Sequence, residues 1–235
     1  MILDTMNIKI APSDRILMIL LLVPLLFFAL ASLVLAPETF QRVFEEDGVV
    51  ESISFYGWIA AAGLILIRVR PFGFRAGSFA LLSLAFAARE ADWQKKFTTD
   101  GVLKINFYQN SSIPLAERLI AGIIVLILII GLAYAVYASF RFLFFERGWE
   151  SRCGVWLFLT GVCLAVGKSL DRIPGELNHL FGITMSVEVV HHFQAFEEGL
   201  EALGPIFFLW SIWLSPLGAS YLARRTGEIG KSQEA

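Results

Sequence analysis

The chain has few of the residues from which metal clusters, disulfide frameworks and soluble surfaces are built. Its 235 residues include two cysteines and three histidines. Cys153 and Cys163 share one apolar stretch and would stand about 15 Å apart along a helix, too far for a disulfide. Neither has a metal-ligand neighbour at useful spacing, so both are expected to be core residues. Charge is scarce too: 17% of the residues are charged, 19 basic against 21 acidic. Without a basic excess or a basic stripe, the sequence gives no sign of nucleic acid as a partner, and none is expected. No repeat, low-complexity tract or second domain is visible.

Apolar residues make up 57% of the chain, a share that soluble domains do not sustain over this length. About twenty consecutive apolar residues cross roughly 30 Å of hydrocarbon as a helix. Six segments meet or approach that length: 16–36, 50–68, 76–93, 116–140, 153–172 and 190–222. They predict an all-α fold, a polytopic membrane helix bundle of about six transmembrane helices forming a single domain over residues 1–235. The first segment is too long for the apolar region of a signal peptide and is read as a span.

Orientation follows from the basic residues between the segments. With the N-terminus in the cytoplasm, the inner segments hold Lys9, Arg15, Arg68, Arg70, Arg75, Arg141, Arg147, Arg152, Arg224, Arg225 and Lys231. The outer loops hold Arg42, Lys95, Lys96 and Lys104. The positive-inside rule then places both termini in the cytoplasm. Arg89, Arg118, Lys168 and Arg172 fall at outer helix ends.

Two segments are short. Between Arg75 and Arg89 there are about thirteen uncharged residues, roughly 20 Å of helix against about 30 Å of hydrocarbon. The fifth segment offers about fifteen, Cys153 to Gly167. The charged groups that follow, Arg89, Glu90 and Asp92 on one helix and Lys168, Asp171 and Arg172 on the other, are therefore expected to enter the outer half of the bilayer. There they should face one another, because an isolated charge exposed to lipid costs several kcal/mol. The simpler explanation is local pairing that caps two short helices, and Asp171 stands one turn from Lys168.

The sixth segment carries EVVHHFQAFEEGLEALGP, residues 188–205. At 100° per residue, His191, Gln194, Glu198 and Glu201 fall within a sector of about 80°. Pro205 donates no backbone hydrogen bond, so the carbonyl of Glu201 loses its helical partner, and a kink there is expected to open a pocket floor. Glu45, Glu46, Asp47 and Glu51 begin the second segment, where carboxylates also suit the helix dipole. His179 is expected in a loop at the interface. Loop 93–113 mixes aromatic and aliphatic residues with cations and is expected to lie along the outer surface or to form a lid.

Histidine and carboxylates in a partly dry cavity can hold a divalent metal that activates water. The candidate metal set is His191, Glu198 and Glu201, with zinc or a similar ion. Asp171, Glu90 and Asp92 are the candidate catalytic carboxylates. Arg89, Arg172, Lys168 and Glu51 are the candidate substrate-binding residues, the arginines suiting an anionic head group. Together they predict metal-assisted hydrolysis or group transfer on a membrane lipid or lipid-linked substrate.

The runs EDGVVE, READWQKKFT, SLDR and EEGLEALGP resemble a set of bacterial multi-pass inner-membrane proteins. The likeness covers most of the chain and implies a six-helix inner-membrane protein, with no activity to carry over. In plan the chain is also similar to the ceramidase and adiponectin-receptor group of intramembrane zinc hydrolases. It departs from them in lacking histidines one turn apart, for His191 and His192 are adjacent. Two other readings stand beside the enzyme. One is a non-catalytic subunit docking a membrane or periplasmic partner through its charges. The other is an ion-coupled transporter, whose site would normally lie nearer the midplane.

Overall fold

A computed structural model describes residues 12–44, 48–70, 72–93, 102, 104–110 and 112–215, with side chains of the first helix from Val23 onward. Every regular element among these is helical. They are α1 (Pro12–Val34), α2 (Pro37–Phe44), α3 (Val49–Arg68), α4 (Phe74–Glu90), α5 (Ile105–Gln109), α6 (Leu115–Phe140), α7 (Arg152–Phe181) and α8 (Val187–Leu214). A π-helical turn, Arg141–Phe145, prolongs α6, and a 3₁₀ turn, Gly148–Glu150, leads into α7. Three stretches are long and apolar enough to cross a membrane: Pro37–Arg68, which holds α2 and α3, then Leu115–Phe145 and Arg152–Phe181. A shorter apolar helix covers Val23–Val34. Glu45, Glu46, Asp47 and residues 94–101, 103 and 111 of loop 93–113 lie outside the described residues, as do both ends of the chain.

Local chemistry sets the helix ends. The Ser151 hydroxyl accepts from the Gly154 N–H at 3.1 Å and so caps α7, satisfying one of the amides that a helix start leaves without a partner. Ser186 does the same for α8 through Val189. At the other end of α7, Gly182 adopts φ 66° and donates to the Asn178 carbonyl at 3.0 Å, a left-handed stop that glycine makes at no steric cost.

α7 corrects two expectations. It runs on through Pro174 to Phe181, so Lys168, Asp171 and Arg172 sit within a helix and not at its tip. His179 lies in the last turn of that helix and not in a loop.

α8 is the central helix. On one side Phe28, Phe40, Phe44, Trp156 and Phe207 close a core between α1, α2, α7 and α8. On the other, Trp58, Ile65, Phe208 and Ile212 pack with Phe79 and Phe86 between α3, α4 and α8. The Trp58 and Phe86 rings stack at 4.7 Å. α6 stands outside this group and packs on α4. Between α4, α6 and α7 it leaves an apolar cavity of ≈ 450 Å³ with Trp58 and Phe208 at its floor.

Candidate functional site

The site forms where Pro205 interrupts the hydrogen bonding of α8. A proline at this position leaves the carbonyl four residues earlier, that of Glu201, without its amide donor. The Ser54 hydroxyl of α3 donates to that carbonyl at 3.3 Å. Two helices must approach closely for this, and Gly57 permits it: a Cβ there would lie 2.9 Å from Pro205 Cβ and 3.0 Å from Cγ. The expected pocket floor at Pro205 is therefore filled. α8 continues through the proline, and Pro205 is fully buried against α3.

The side chain of the same residue is held from another direction. Arg89, in the last turn of α4, donates from Nη2 to both carboxylate oxygens of Glu201, at 2.9 and 3.1 Å. Glu201 is buried, its side chain 7% exposed, while that of Arg89 is 39% exposed. Glu90 is just as buried, and its carboxylate lies 3.9 Å from Arg89 Nη1. α7 passes close by through Gly167, where a Cβ would stand 3.4 Å from Glu201 Cγ. Three helices thus meet on one glutamate. A carboxylate taken out of water costs several kcal/mol unless paired and hydrogen-bonded, and Glu201 has both kinds of partner.

More charge surrounds this pair. Glu198 lies within electrostatic reach of Glu201, Glu197, Glu90 and Glu51, and Glu197 within reach of Asp171 and Lys168. The structure therefore brings together Arg89, Glu90, Glu198, Glu201, Glu51 and Asp171 from α3, α4, α7 and α8. Lys168 pairs with Asp171 on its own helix, both partly exposed. Arg172 is exposed and meets no carboxylate among the described residues. Asp92 ends α4 in a left-handed conformation, φ 50°, its N–H on the Arg89 carbonyl at 3.0 Å, which an aspartate tolerates better than most residues.

The histidines turn elsewhere. The His191 ring stacks on Phe40 of α2 at 4.8 Å, and the amide of Gln194 donates to the Phe44 carbonyl at 3.2 Å. His192 Nδ1 lies 2.7 Å from the Ser32 hydroxyl of α1. The polar stripe of α8 thus meets α2 at its first turns and α3 and α4 lower down. Among the described residues no group of three His, Cys, Asp or Glu side chains is arranged to hold a metal ion. His191, Glu198 and Glu201 are not gathered as one ligand set: the His191 ring stacks on Phe40, while Glu201 is held by Arg89.

Ser54 and Gly57 belong to the site although the charge pattern of this helix singles out only Glu51. The signal is present: Glu51, Ser54 and Gly57 recur every three residues in a mostly apolar helix, a small and polar edge that suits a close neighbour.

The apolar cavity ends within a turn of these charges. Phe86 lines it one turn before Arg89 and Glu90, and Leu164 and Ala165 line it one turn before Lys168. Comparison with family models, curated proteins and solved structures finds no match to the chain.

Proposed function

We propose that the protein is a multi-pass membrane protein that binds a lipid or lipid-linked molecule and acts on it by hydrolysis or group transfer. The polar head would sit at the Arg89–Glu201 site and the chain in the cavity between α6 and α7. One observation carries this reading: a cavity with almost wholly apolar walls, in the size range of ligand pockets, reaches to within a turn of a buried ionic site. Water has no use for the first, and an alkyl chain none for the second. An amphiphile fits both.

In this reading α1, α3, α4, α6, α7 and α8 cross a bacterial inner membrane with both chain ends in the cytoplasm, as the distribution of arginine and lysine favours. The carboxylates Glu51, Glu90, Glu197, Glu198, Glu201 and Asp171 outnumber Arg89, Lys168 and Arg172. An anionic head would face that excess, so the head that fits carries a positive charge of its own, as an amine-bearing or zwitterionic lipid does. Glu90 and Glu198 are the candidate acid and base for moving a proton between water and the leaving group. Arg89 positions Glu201 and presents its remaining N–H groups to the substrate.

The test is the lipid that stays with the protein. Extracts of protein purified in mild detergent should be enriched in one amine-bearing lipid. Gly161 lines the cavity, and a Cβ there would meet nothing within 4 Å, so Gly161→Leu should fold and retain several-fold less of that lipid. Retention of anionic lipids alone, or equal retention by the variant, would overturn the proposal. With the bound lipid known, Glu90→Gln and Glu198→Gln should keep it bound and abolish its conversion.

A further inference from the structure

We propose a second ligand site at the opposite end of the bundle, where Arg68 and Arg75 hold the phosphodiester group of an anionic lipid. The two arginines come from the two sides of one turn, Arg68 closing α3 and Arg75 lying in the first turn of α4. The Arg68 guanidinium lies over the Trp213 ring, 4.5 Å from its centroid. Its Nε is buried and meets no hydrogen-bond acceptor among the described residues. Arg75 lies over Phe142 at 5.9 Å and acts electrostatically on Cys153. The Cys153 carbonyl accepts from the Ser211 hydroxyl of α8 at 2.9 Å, two residues before Trp213. Both guanidinium groups therefore border the same end of α8.

Among the described residues, the carboxylates near this end are already engaged. Glu146 pairs with Arg141 at 3.0 Å, and Glu150 lies 3.9 Å from Arg147. Among the described residues neither Arg68 nor Arg75 meets a carboxylate within ion-pairing distance. Planar guanidinium forks match the oxygens of a phosphodiester two at a time, and basic pockets between helix ends at a membrane face take anionic head groups. The rim identifies a lipid as the source of that phosphate. Ile67 is 78% exposed, Phe74 67% and Trp213 52%, and an exposed apolar and tryptophan-bearing rim belongs at the boundary between head groups and chains. Free phosphate has nothing to gain from such a rim.

This site is independent of the function proposed above, since it shares no residue with the Arg89–Glu201 cluster. It is tested by thermal melting of the purified full chain in detergent. Titrated phosphatidylglycerol should raise the melting temperature by several degrees, while phosphatidylcholine and inorganic phosphate should not. Arg75→Gln, at an exposed position that leaves packing intact, should weaken the apparent affinity for phosphatidylglycerol about tenfold. Arg68→Lys keeps the charge but loses the planar fork and should also weaken it. Arg147→Gln, beside the site but outside it, should behave as wild type. Equal stabilisation by phosphatidylcholine, or wild-type affinity in Arg75→Gln, would overturn the proposal. Equal stabilisation by inorganic phosphate would overturn its assignment to a lipid.

Discussion

Ser54 donates its hydroxyl hydrogen across two helices to the one carbonyl of α8, that of Glu201, which Pro205 leaves without a helical donor. Ser54→Ala should therefore lower stability by about 1–3 kcal/mol, the usual cost of leaving a buried acceptor unsatisfied. Pro205→Ala restores an amide donor to the same carbonyl. In a Pro205→Ala background the loss from Ser54→Ala should shrink by at least half. Melting curves of the four proteins measure the coupling, and simple additivity would show that the two residues do not share the carbonyl.

Gly57 and Gly63 lie on the same helix and differ in what faces them. Gly57→Ala drives a methyl against the rigid Pro205 ring, at 2.9 Å from its Cβ, whereas Gly63 has nothing within 4 Å. The first substitution should destabilise by about 1–3 kcal/mol through overpacking. The second should be neutral or stabilise by up to about 1 kcal/mol, as alanine does in a helix interior. Unfolding measured in one detergent for both variants makes the comparison, and equal effects would contradict the packing described.

Arg89→Gln leaves Glu201 buried without its cation. Breaking a buried pair costs about 3–5 kcal/mol, and with Arg89 39% exposed the lower end is expected. Replacing both partners, as in Arg89→Met with Glu201→Leu, should recover most of the loss while abolishing function. Recovery of function in the double variant would remove the pair from the site.

Lys168 and Asp171 make the opposite case. Both are partly exposed and pair along one helix turn, so Lys168→Ala should change stability by less than about 1 kcal/mol. Any loss of lipid binding or turnover in that variant then reports on the site and not on the fold. A large drop in melting temperature would show that Lys168 is structural.

Phe28 lies against α8 at Gly199, where a Cβ would stand 2.4 Å from the ring. Gly199→Ala should displace Phe28 and loosen α1, which also meets α8 through Ser32 and His192. Faster proteolysis near the N-terminus, with α3, α4 and α7 still protected, is the expected result. Unchanged proteolysis would mean that α1 does not depend on this contact.

Helix existence was legible in the sequence because apolar runs of this length leave no other way to satisfy the backbone in a membrane. Val49–Arg68 and Leu115–Phe140 fall within a residue of the expected segments. The end of α7 was not legible: the charges at 168–172 read as a stop, yet proline removes a single hydrogen bond, and the helix continues to a glycine stop at Gly182. Charge burial alone pairs the end of α4 with Lys168, Asp171 and Arg172 of α7, whereas Arg89 meets Glu201 of α8 and Lys168 pairs with Asp171 on its own helix. The turning of His191 to Phe40 was not legible either, because α2 is one short helix whose aromatic face matters only once it is folded against α8. Nor does periodicity along one helix reveal which second helix supplies the hydroxyl for a freed carbonyl.

Glu201 is tied by its backbone to α3 and by its side chain to α4, with α7 resting against it. A guest that draws Arg89 away from that carboxylate slackens the joint between three helices at a stroke, while one that bridges the pair tightens it. Melting temperature followed against ligand concentration would then read the occupancy of this joint.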